Sequence, residues 1–328
     1  MPFNIIQQDI TTIKTDAIVN AANTNLKMGG GVSGAIFQAA GAEELQAACD
    51  NLAPIKTGEA VITPGFDLPA KNIIHTAGPV YQSFNKNQSE QLLREAYINS
   101  LQTAVDNNCK SIAFPLISSG IYGYPKDEAL QVALAAIKDF LKQHDLDVTL
   151  VVFNKSAFNL SQKLLAEVDS FLDKHFLGTF KEQAGSELLL QQDDTSLADR
   201  TSDSSEFVDF LSGQLTEPFS DQLLRLLEAR KISEQELYKR ANIKRELFDQ
   251  IINNKKFKPN KRIVLSLAIA LELSWEETEN FLKRSGYAFS NAVKSDVIVK
   301  YFLSNKKYDI YEINEILFAY DQPLLGGW

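Results

Sequence analysis

The stretch VNAANTNLKMGGGVSGAIFQAAG, from Val19 to Gly41, decides how the first half of the chain folds. It opens in an apolar run with two asparagines three positions apart, passes through three consecutive glycines, and ends in the short apolar segment GAIFQAA. Glycine lets a backbone approach a ligand closely and adopt positive φ. Because the first amides of a helix are unpaired and the helix dipole is positive there, this order predicts a loop that binds an anion such as a diphosphate.

A second glycine-bearing segment, SSGIYGYP from Ser118 to Pro125, follows the apolar run SIAFPLI and precedes another helical pattern. Two such loops at the carboxyl ends of parallel strands would hold a diphosphate from two sides. The alternative is that these glycines only form tight turns, because glycine patterns alone are weak signals.

The first half of the chain alternates apolar strand patterns with amphipathic segments. The candidate strands are FNIIQ, AIVN, EAVIT, NIIHT, SIAFP and VTLVVF. The clearest helix runs from Ser89 to Asn107, with Leu93, Tyr97, Leu101 and Val105 on one stripe. Apolar strands separated by helices predict the α/β class, a three-layer α/β/α domain with a mixed, largely parallel sheet.

Composition sets the broad class of the protein. The chain has 328 residues, 45% hydrophobic and 23% charged, with a net charge of −9, which is typical of soluble globular protein. Cys49 and Cys109 lack neighbours at metal-ligand spacing, so we expect no metal and no cofactor. The N-terminus does not resemble a signal peptide and no apolar run could span a bilayer, so the sequence predicts a cytoplasmic protein.

The second half of the chain changes character. From Lys181 to Asp221 ten acidic residues stand against two basic ones, and Ser and Asp dominate. We therefore predict a first domain over residues 1–176, an acidic flexible linker over 177–221, and a separate all-α domain over 222–328. Ser233 and Ser274 are candidate helix N-caps, and Glu236 would complete a capping box with Ser233.

Four ordered motifs, QQDITTIKTDAIVNAAN, MGGGVSGAIFQAAG, LPAKNIIHTAGP and IAFPLISSGIYGYP, together resemble a macro domain, the ADP-ribose-binding family. The resemblance covers residues 2–175. It is to the MacroD-type branch, which includes O-acetyl-ADP-ribose deacetylases and mono-ADP-ribosyl hydrolases. It implies that the partner is ADP-ribose or an ADP-ribosylated protein or metabolite, with no membrane involved.

The resemblance also implies residue roles. Asp9 would accept a hydrogen bond from the adenine amino group, with the Ile10 amide beside it, and Phe153 would stack on adenine. Asn23 would contact the distal ribose, whereas Asn20 would brace the loop. The implied phosphate contacts come from the two loops: Gly30, Gly31, Val32, Ser118, Ser119, Gly120, Ile121 and Tyr122. His75 lies inside an apolar strand, which favours a structural role.

Position 33 departs from the family pattern. Many active members carry aspartate there, and this chain has Ser33. Asn23 and Ser33 are the candidate catalytic residues. A serine hydroxyl forms hydrogen bonds, but without a partner it is no general base near neutral pH. The resemblance therefore implies binding with slow ester hydrolysis.

The segment ISEQELYKRANIKRELFDQIINNKK resembles the second and third helices of a phage-repressor helix-turn-helix, with recognition helix Lys244 to Asn254. Between Arg230 and Arg262 eleven basic residues stand against four acidic ones, a local charge of +7. The candidate nucleic-acid contacts are Lys244, Arg245, Lys255 and Lys256. Glu246 and Asp249 on the same helix would repel phosphate, so a protein partner and a purely structural role stay open.

The sequence thus predicts a cytoplasmic bacterial protein that binds ADP-ribose or a derivative and slowly hydrolyses mono-ADP-ribosyl or O-acetyl-ADP-ribose esters. The alternative is a non-catalytic sensor, in which ligand occupancy of the first domain controls DNA or protein binding by the second.

Overall fold

The computed structural model describes residues 2–152, 164–175 and 218–327. Backbone contacts divide the chain into two compact units. The first unit comprises Met1–Gln162, Asn242–Lys244 and Asn314–Trp328, and the second comprises Lys163–Ala241 and Arg245–Ile313. The predicted domain boundaries stay predictions, and most of the predicted linker, residues 177–217, lies outside the described residues.

A six-stranded sheet forms the centre of the first unit, and all six predicted strands are present in it. Its strands are β1 (Phe3–Gln7), β2 (Ala17–Ala22), β3 (Ala60–Pro64), β4 (Asn72–Ala77), β5 (Ser111–Pro115) and β6 (Asp147–Val152). They lie in the order β1-β6-β5-β2-β4-β3. Every pair is parallel except β3 with β4, which confirms the mixed, largely parallel sheet.

Helices cover both faces of this sheet. They are α1 (Val32–Ala40), α2 (Ala42–Asp50), α3 (Lys86–Asp106) and α4 (Lys126–Leu141). Residues of α1 and α2, such as Phe37 and Leu45, share a buried cluster with Ala113 of β5. The next residue, Phe114, packs against Tyr97 of α3. Because neighbouring strand residues point to opposite faces, α3 covers the other side, which confirms the three-layer α/β/α fold.

The apolar residues predicted on one face of α3 show which side of the helix packs against the sheet. Leu93, Tyr97 and Leu101 are fully buried in the observed helix, whereas the fourth member of the stripe, Val105, is only half-buried. The helix begins three residues before the predicted start at Ser89. Large buried side chains one turn apart place α3 firmly against the sheet. Tyr97 of α3 also forms hydrogen bonds with the backbone of Pro115 and Ile117, just before the second glycine loop.

The described part of the second unit is helical, as predicted. Its helices are α5 (residues 164–175), α6 (Phe219–Arg230), α7 (Glu234–Arg240), α8 (Arg245–Asn253), α9 (Lys261–Ala270), α10 (Trp275–Arg284) and α11 (Lys294–Ser304). The last helix, α12 (Ile310–Ala319), begins in the second unit, but its residues from Asn314 onward belong to the first. Both predicted N-caps are confirmed, since Ser233 accepts from the Glu236 amide and Ser274 from the Glu277 amide. The capping box predicted at Ser233 is only half formed, because the Glu236 carboxylate pairs with Arg240. Ser274 and Glu277 form a complete one. No helix among the described residues is long and apolar enough to cross a membrane.

Residues far along the sequence form hydrogen bonds at the β1 edge of the sheet in the first unit. Asn242 is buried with φ +57°, and its side chain meets both backbone groups of Phe3 at the edge of the sheet. Phe3 N donates to Asn242 Oδ1 over 2.6 Å, and Asn242 Nδ2 donates to Phe3 O over 2.9 Å. The amide of Gly327 in turn donates to the carbonyl of Asn242. These bonds satisfy groups that an edge strand otherwise leaves unpaired.

Candidate functional site

The first glycine loop folds back onto the start of α1. Gly31 precedes the helix with φ +62°, a conformation that favours glycine. A Cβ added at Gly34 would lie 2.7 Å from the carbonyl oxygen of Gly29, so this close approach also requires glycine. The amides of Gly30, Gly31 and Val32 donate to no other described residue. The loop therefore presents unpaired N–H groups at the positive end of a helix, as an anion site requires.

The second loop, residues 118–125, has an equally specific conformation. Ser118 adopts φ +64°, and its carbonyl accepts from the Tyr124 amide, while Gly123 N donates to Gly120 O. Ser119 turns its hydroxyl back to the Leu116 carbonyl over 2.8 Å. The amides of residues 120–122 donate to no other described residue. This loop too offers successive backbone donors.

The two loops meet. The Cδ1 atom of Ile121 lies 3.3 Å from the position that a Cβ on Gly30 would occupy. Ile121 is otherwise 82% exposed. Both sets of unpaired amides thus lie at the same edge of the sheet, where strands β2 and β5 end, and parallel α/β sheets bind ligands at that edge.

Two serine hydroxyls lie at the base of these loops. Ser33 on α1 is 4% exposed and Ser118 is 7% exposed. Neither Oγ has a hydrogen-bond partner among the described residues. A buried hydroxyl without a partner is costly, so such groups usually mark a place where a ligand or water completes the bonding.

Asn20 and Asn23, three positions apart, have different surroundings. Asn23 braces its own loop, since its Nδ2 donates to Lys27 O over 2.7 Å and its Oδ1 accepts from the amides of Asn25 and Lys27. Asn20, by contrast, is fully buried in β2 and meets His75 of β4 at 3.0 Å. The reason is register, because Asn20 lies directly opposite His75 in the parallel ladder. The loop bracing expected of Asn20 is therefore performed by Asn23.

His75 forms a buried polar cluster on β4. Its Nδ1 faces Asn20 Nδ2, and its Nε2 lies 2.9 Å from the Thr63 hydroxyl. Each ring nitrogen therefore has a polar partner within hydrogen-bonding distance. Burial lowers the pKa of His75 to about 4, so the ring is neutral at neutral pH. Since both ring nitrogens are engaged, His75 is not a base for the loops.

The residues expected to bind adenine lie at the end of β1. Asp9 is exposed, and its Oδ1 accepts from both the amide and the hydroxyl of Thr11. Ile10, which begins the short 3₁₀ helix Ile10–Thr12, is buried in the core. Phe153 lies outside the described residues. The described residues contain no cluster of His, Cys, Asp and Glu that could hold a metal ion.

Gly78 was not singled out from the sequence, yet it shapes the second loop. A Cβ there would lie 2.3 Å from Ser118 Oγ and 2.5 Å from Ile117 Cγ2. The loop can take its path only because residue 78 has no side chain. The motif HTAGP contains this glycine, but its contact with a segment forty residues later is not visible in the sequence.

Three of the four candidate nucleic-acid contacts form ion pairs. Lys244 Nζ lies 2.7 Å from Asp147 within the first unit. In the second unit Lys255 lies 3.0 Å from Asp221, and Arg245 lies 3.8 Å from Asp249 on the same helix. Lys256 is exposed. Pairing with carboxylates reduces the positive potential available to phosphate.

The first half of the chain is similar in sequence to known proteins. The macro domain family model matches residues 19–133. Over 172 residues, 51% of this chain, it is 46% identical to the O-acetyl-ADP-ribose deacetylase of Cronobacter sakazakii, covering 94% of that protein. A macro domain-containing protein of Chlorobaculum tepidum is 45% identical over the same length, with 99% of it covered. The Escherichia coli K12 O-acetyl-ADP-ribose deacetylase is 42% identical over 169 residues, with 95% covered.

Solved structures of similar sequence were also found. The Oceanobacillus iheyensis macrodomain with ADP is 41% identical in sequence and has a TM-score of 0.46. The match covers 51% of this chain and 90% of that one. The Trypanosoma brucei macrodomain in complex with ADP-ribose is 36% identical, with a TM-score of 0.44 over 48% of this chain and 66% of that one. On the family model and on curated relatives covered almost end to end, the chain belongs to the macro domain family.

Proposed function

We propose that the first unit binds ADP-ribose or a derivative of it, with the diphosphate between the two glycine loops. The observation that carries this proposal is the meeting of the loops at Gly30 and Ile121, with unpaired amides on both sides. Backbone amides at a helix start suit a diphosphate better than a neutral ligand, because they place several donors and the dipole on one charged group. Relatives named O-acetyl-ADP-ribose deacetylase support the choice of ligand.

The distal ribose would lie beside Asn23 and Ser33. The Asn23 Nδ2 group has two hydrogens, and the Lys27 carbonyl takes one, which leaves one for a ribose hydroxyl. A Cβ on Gly29 would lie 3.7 Å from Ser33 Oγ and 4.0 Å from Asn23 Nδ2, so both side chains border the same glycine. Asp9 would hold the adenine amino group through the carboxylate oxygen that Thr11 leaves open.

The proposed reaction is slow hydrolysis of an ester on the distal ribose, from O-acetyl-ADP-ribose or a mono-ADP-ribosylated carboxylate. Water attacks the ester carbonyl, the ribose oxygen leaves, and the proton passes to that oxygen. Ser33 can orient the water by hydrogen bonding but is no base for it, and His75 is engaged elsewhere. Loss of one acid–base group typically lowers a rate by ~10²–10⁴-fold. We therefore assign water orientation to the ligand phosphate together with Asn23.

The second candidate function is a sensor that binds the ligand and returns it unchanged. Ser33 favours this function, because it is buried and its hydroxyl has no partner among the described residues that could act as a base. In that case the second unit, whose helices α7 and α8 span the helix-turn-helix-like sequence, would bind DNA or a protein according to ligand occupancy.

Calorimetry with ADP-ribose, followed by an ester-hydrolysis assay on the same full-length sample, tests these proposals. We expect a saturable heat of binding and slow release of acetate from O-acetyl-ADP-ribose. Binding with the ester returned intact would identify a sensor. The absence of binding by a folded sample would overturn both functions.

A further inference from the structure

Tyr97 reaches from α3 to the backbone just before the second loop. Its hydroxyl accepts a hydrogen bond from Ile117 N over 3.0 Å and donates one to Pro115 O over 3.3 Å. The side chain is fully buried, and its ring packs on Phe114 with centroids 5.2 Å apart. Burial raises the pKa of Tyr97, so the hydroxyl keeps the proton that it donates.

The two backbone groups that Tyr97 satisfies lie where the sheet ends. The ladder between β2 and β5 stops at Ala113, and β5 itself ends at Pro115. Buried backbone groups beyond that point need partners from elsewhere. The Tyr97 hydroxyl acts as acceptor for one and donor for the other, which joins residues 115 and 117 into a fixed bend.

This bend determines where the second loop begins. The amide of Ile117 is bonded to Tyr97, and its Cγ2 occupies space that a side chain at residue 78 would need, since a Cβ on Gly78 would lie only 2.5 Å from it. Ser118 follows immediately with φ +64°. A residue in that conformation has few alternative paths, so a shift at Ile117 would move the following amides with it.

We propose that Tyr97 is a positioning residue for the second loop: through Pro115 and Ile117 it holds the amides of residues 120–122 where they meet the diphosphate. Tyr97 does not touch the ligand. The inference rests on the proposed function, because the position of these amides affects binding only if a diphosphate lies against them. It assigns a role to a residue outside both glycine motifs.

The test compares two buried hydroxyls on α3 in the full-length protein. Tyr97→Phe removes the hydroxyl and keeps the ring on Phe114. Ser100→Ala removes a fully buried hydroxyl one turn away, whose one partner among the described residues is the Ala96 carbonyl of the same helix. Because small misplacements of binding groups can cost up to about a hundredfold, we expect Tyr97→Phe to raise the Kd for ADP-ribose roughly tenfold. Ser100→Ala should leave the Kd unchanged.

Hydrogen exchange separates positioning from a general loss of stability. In Tyr97→Phe the amides of residues 117–122 should lose protection, whereas those of β6 keep it. In the wild type, saturating ADP-ribose should slow exchange at Ile117 more than at Leu150 of β6, a measurement that does not require the variant to fold.

Each outcome bears on the inference. Equal Kd values for the wild type and Tyr97→Phe would overturn it, and so would an equal rise in Ser100→Ala. It would also fail if Ile117 exchange in the wild type did not respond to bound ADP-ribose. A wild type that binds no ADP-ribose would instead overturn the proposed function, which distinguishes the two failures.

Discussion

At position 33 a hydroxyl stands where the resemblance to active macro domains implies a carboxylate. Ser33 is the second residue of α1, so a carboxylate there would lie at the positive end of the helix dipole and stay ionised. It would be near the proposed ribose and could take a proton from water. The surroundings are therefore suited to a base that this chain does not carry.

We expect Ser33→Asp to raise kcat for O-acetyl-ADP-ribose by about tenfold or more, since it adds a carboxylate that can act as a general base. Ser33→Asn is the matched control, because asparagine has nearly the same size as aspartate but carries no charge, and it should not accelerate the reaction. Ser33→Ala should change kcat by less than about tenfold, or ~1.4 kcal/mol of barrier. The measurement is kcat at saturating substrate. A wild-type kcat equal to that of Ser33→Asp would mean that serine is no defect here.

Asp9 offers a separate test of the adenine site. Asp9→Asn keeps an oxygen for the Thr11 amide and hydroxyl but puts a donor where the adenine amino group needs an acceptor. We expect ADP-ribose binding to weaken by about 1–3 kcal/mol, the range for an unsatisfied hydrogen-bonding group. Calorimetry measures it, with Asp139→Asn on α4 as the control. Unchanged affinity would remove Asp9 from the site.

The buried His75 makes the stability of the first unit depend on pH. Its pKa is about 4 in the folded protein and about 6.5 in an unfolded chain. Between these values only the unfolded state takes up the proton, so stability is complete above about pH 6.5 and falls as the pH drops toward 4.

We expect the wild type to lose up to about 3 kcal/mol of local stability over that range. Hydrogen exchange at β2 and β4 amides, corrected for intrinsic rates, measures the loss at pH 7 and pH 5. His75→Gln should flatten this dependence, and His144→Gln, outside the cluster, should not. A wild type with the same protection at both pH values would contradict the pKa that burial gives His75.

At the scale of elements, strands and loops were predictable because their signals are local. Each strand is a short apolar run, and each loop is marked by its own glycines. The contacts of Asn20 with His75 and of His75 with Thr63 were not predictable, since strand register joins residues 55 and 12 positions apart. The bend at Ile117 likewise depends on Tyr97 and Gly78, neither of which lies in the loop motifs.

The close approach of Gly34 in α1 to Gly29 in the first loop can be tested by substitution. We expect Gly34→Ala to destabilise the first unit by about 1–3 kcal/mol, because its Cβ would meet the Gly29 carbonyl at 2.7 Å and backbone must move. Gly29→Ala is the control, with its nearest neighbour at an ordinary 3.7 Å. Amide exchange in α1 reports the difference. Equal protection in the two variants would contradict the close approach at Gly34.

At the scale of the whole molecule, ion pairs modify the prediction of DNA binding. If the chain binds duplex, we expect the exposed Lys256 and Lys258 to carry more of the affinity than Lys244, which is paired with Asp147. Replacing both with alanine should lower the dependence of log affinity on log salt by about two units of slope. Lys244→Ala should change it little. Titration of a duplex at several salt concentrations measures these slopes, and no binding at low salt would favour a protein partner.

The bonds between Asn242 and Phe3 have a consequence for synthesis of the chain. β1 is an edge strand, and the side chain that bonds to both outward backbone groups of Phe3 is 239 residues further along the sequence. About 90 residues separate the end of β6 from Asn242, and a ribosome adds about 5–20 residues each second, so the nascent sheet waits on the order of ten seconds before Phe3 gains this partner. Open edges pair with other chains, so this interval is the time in the protein's life when self-association through β1 is most favoured.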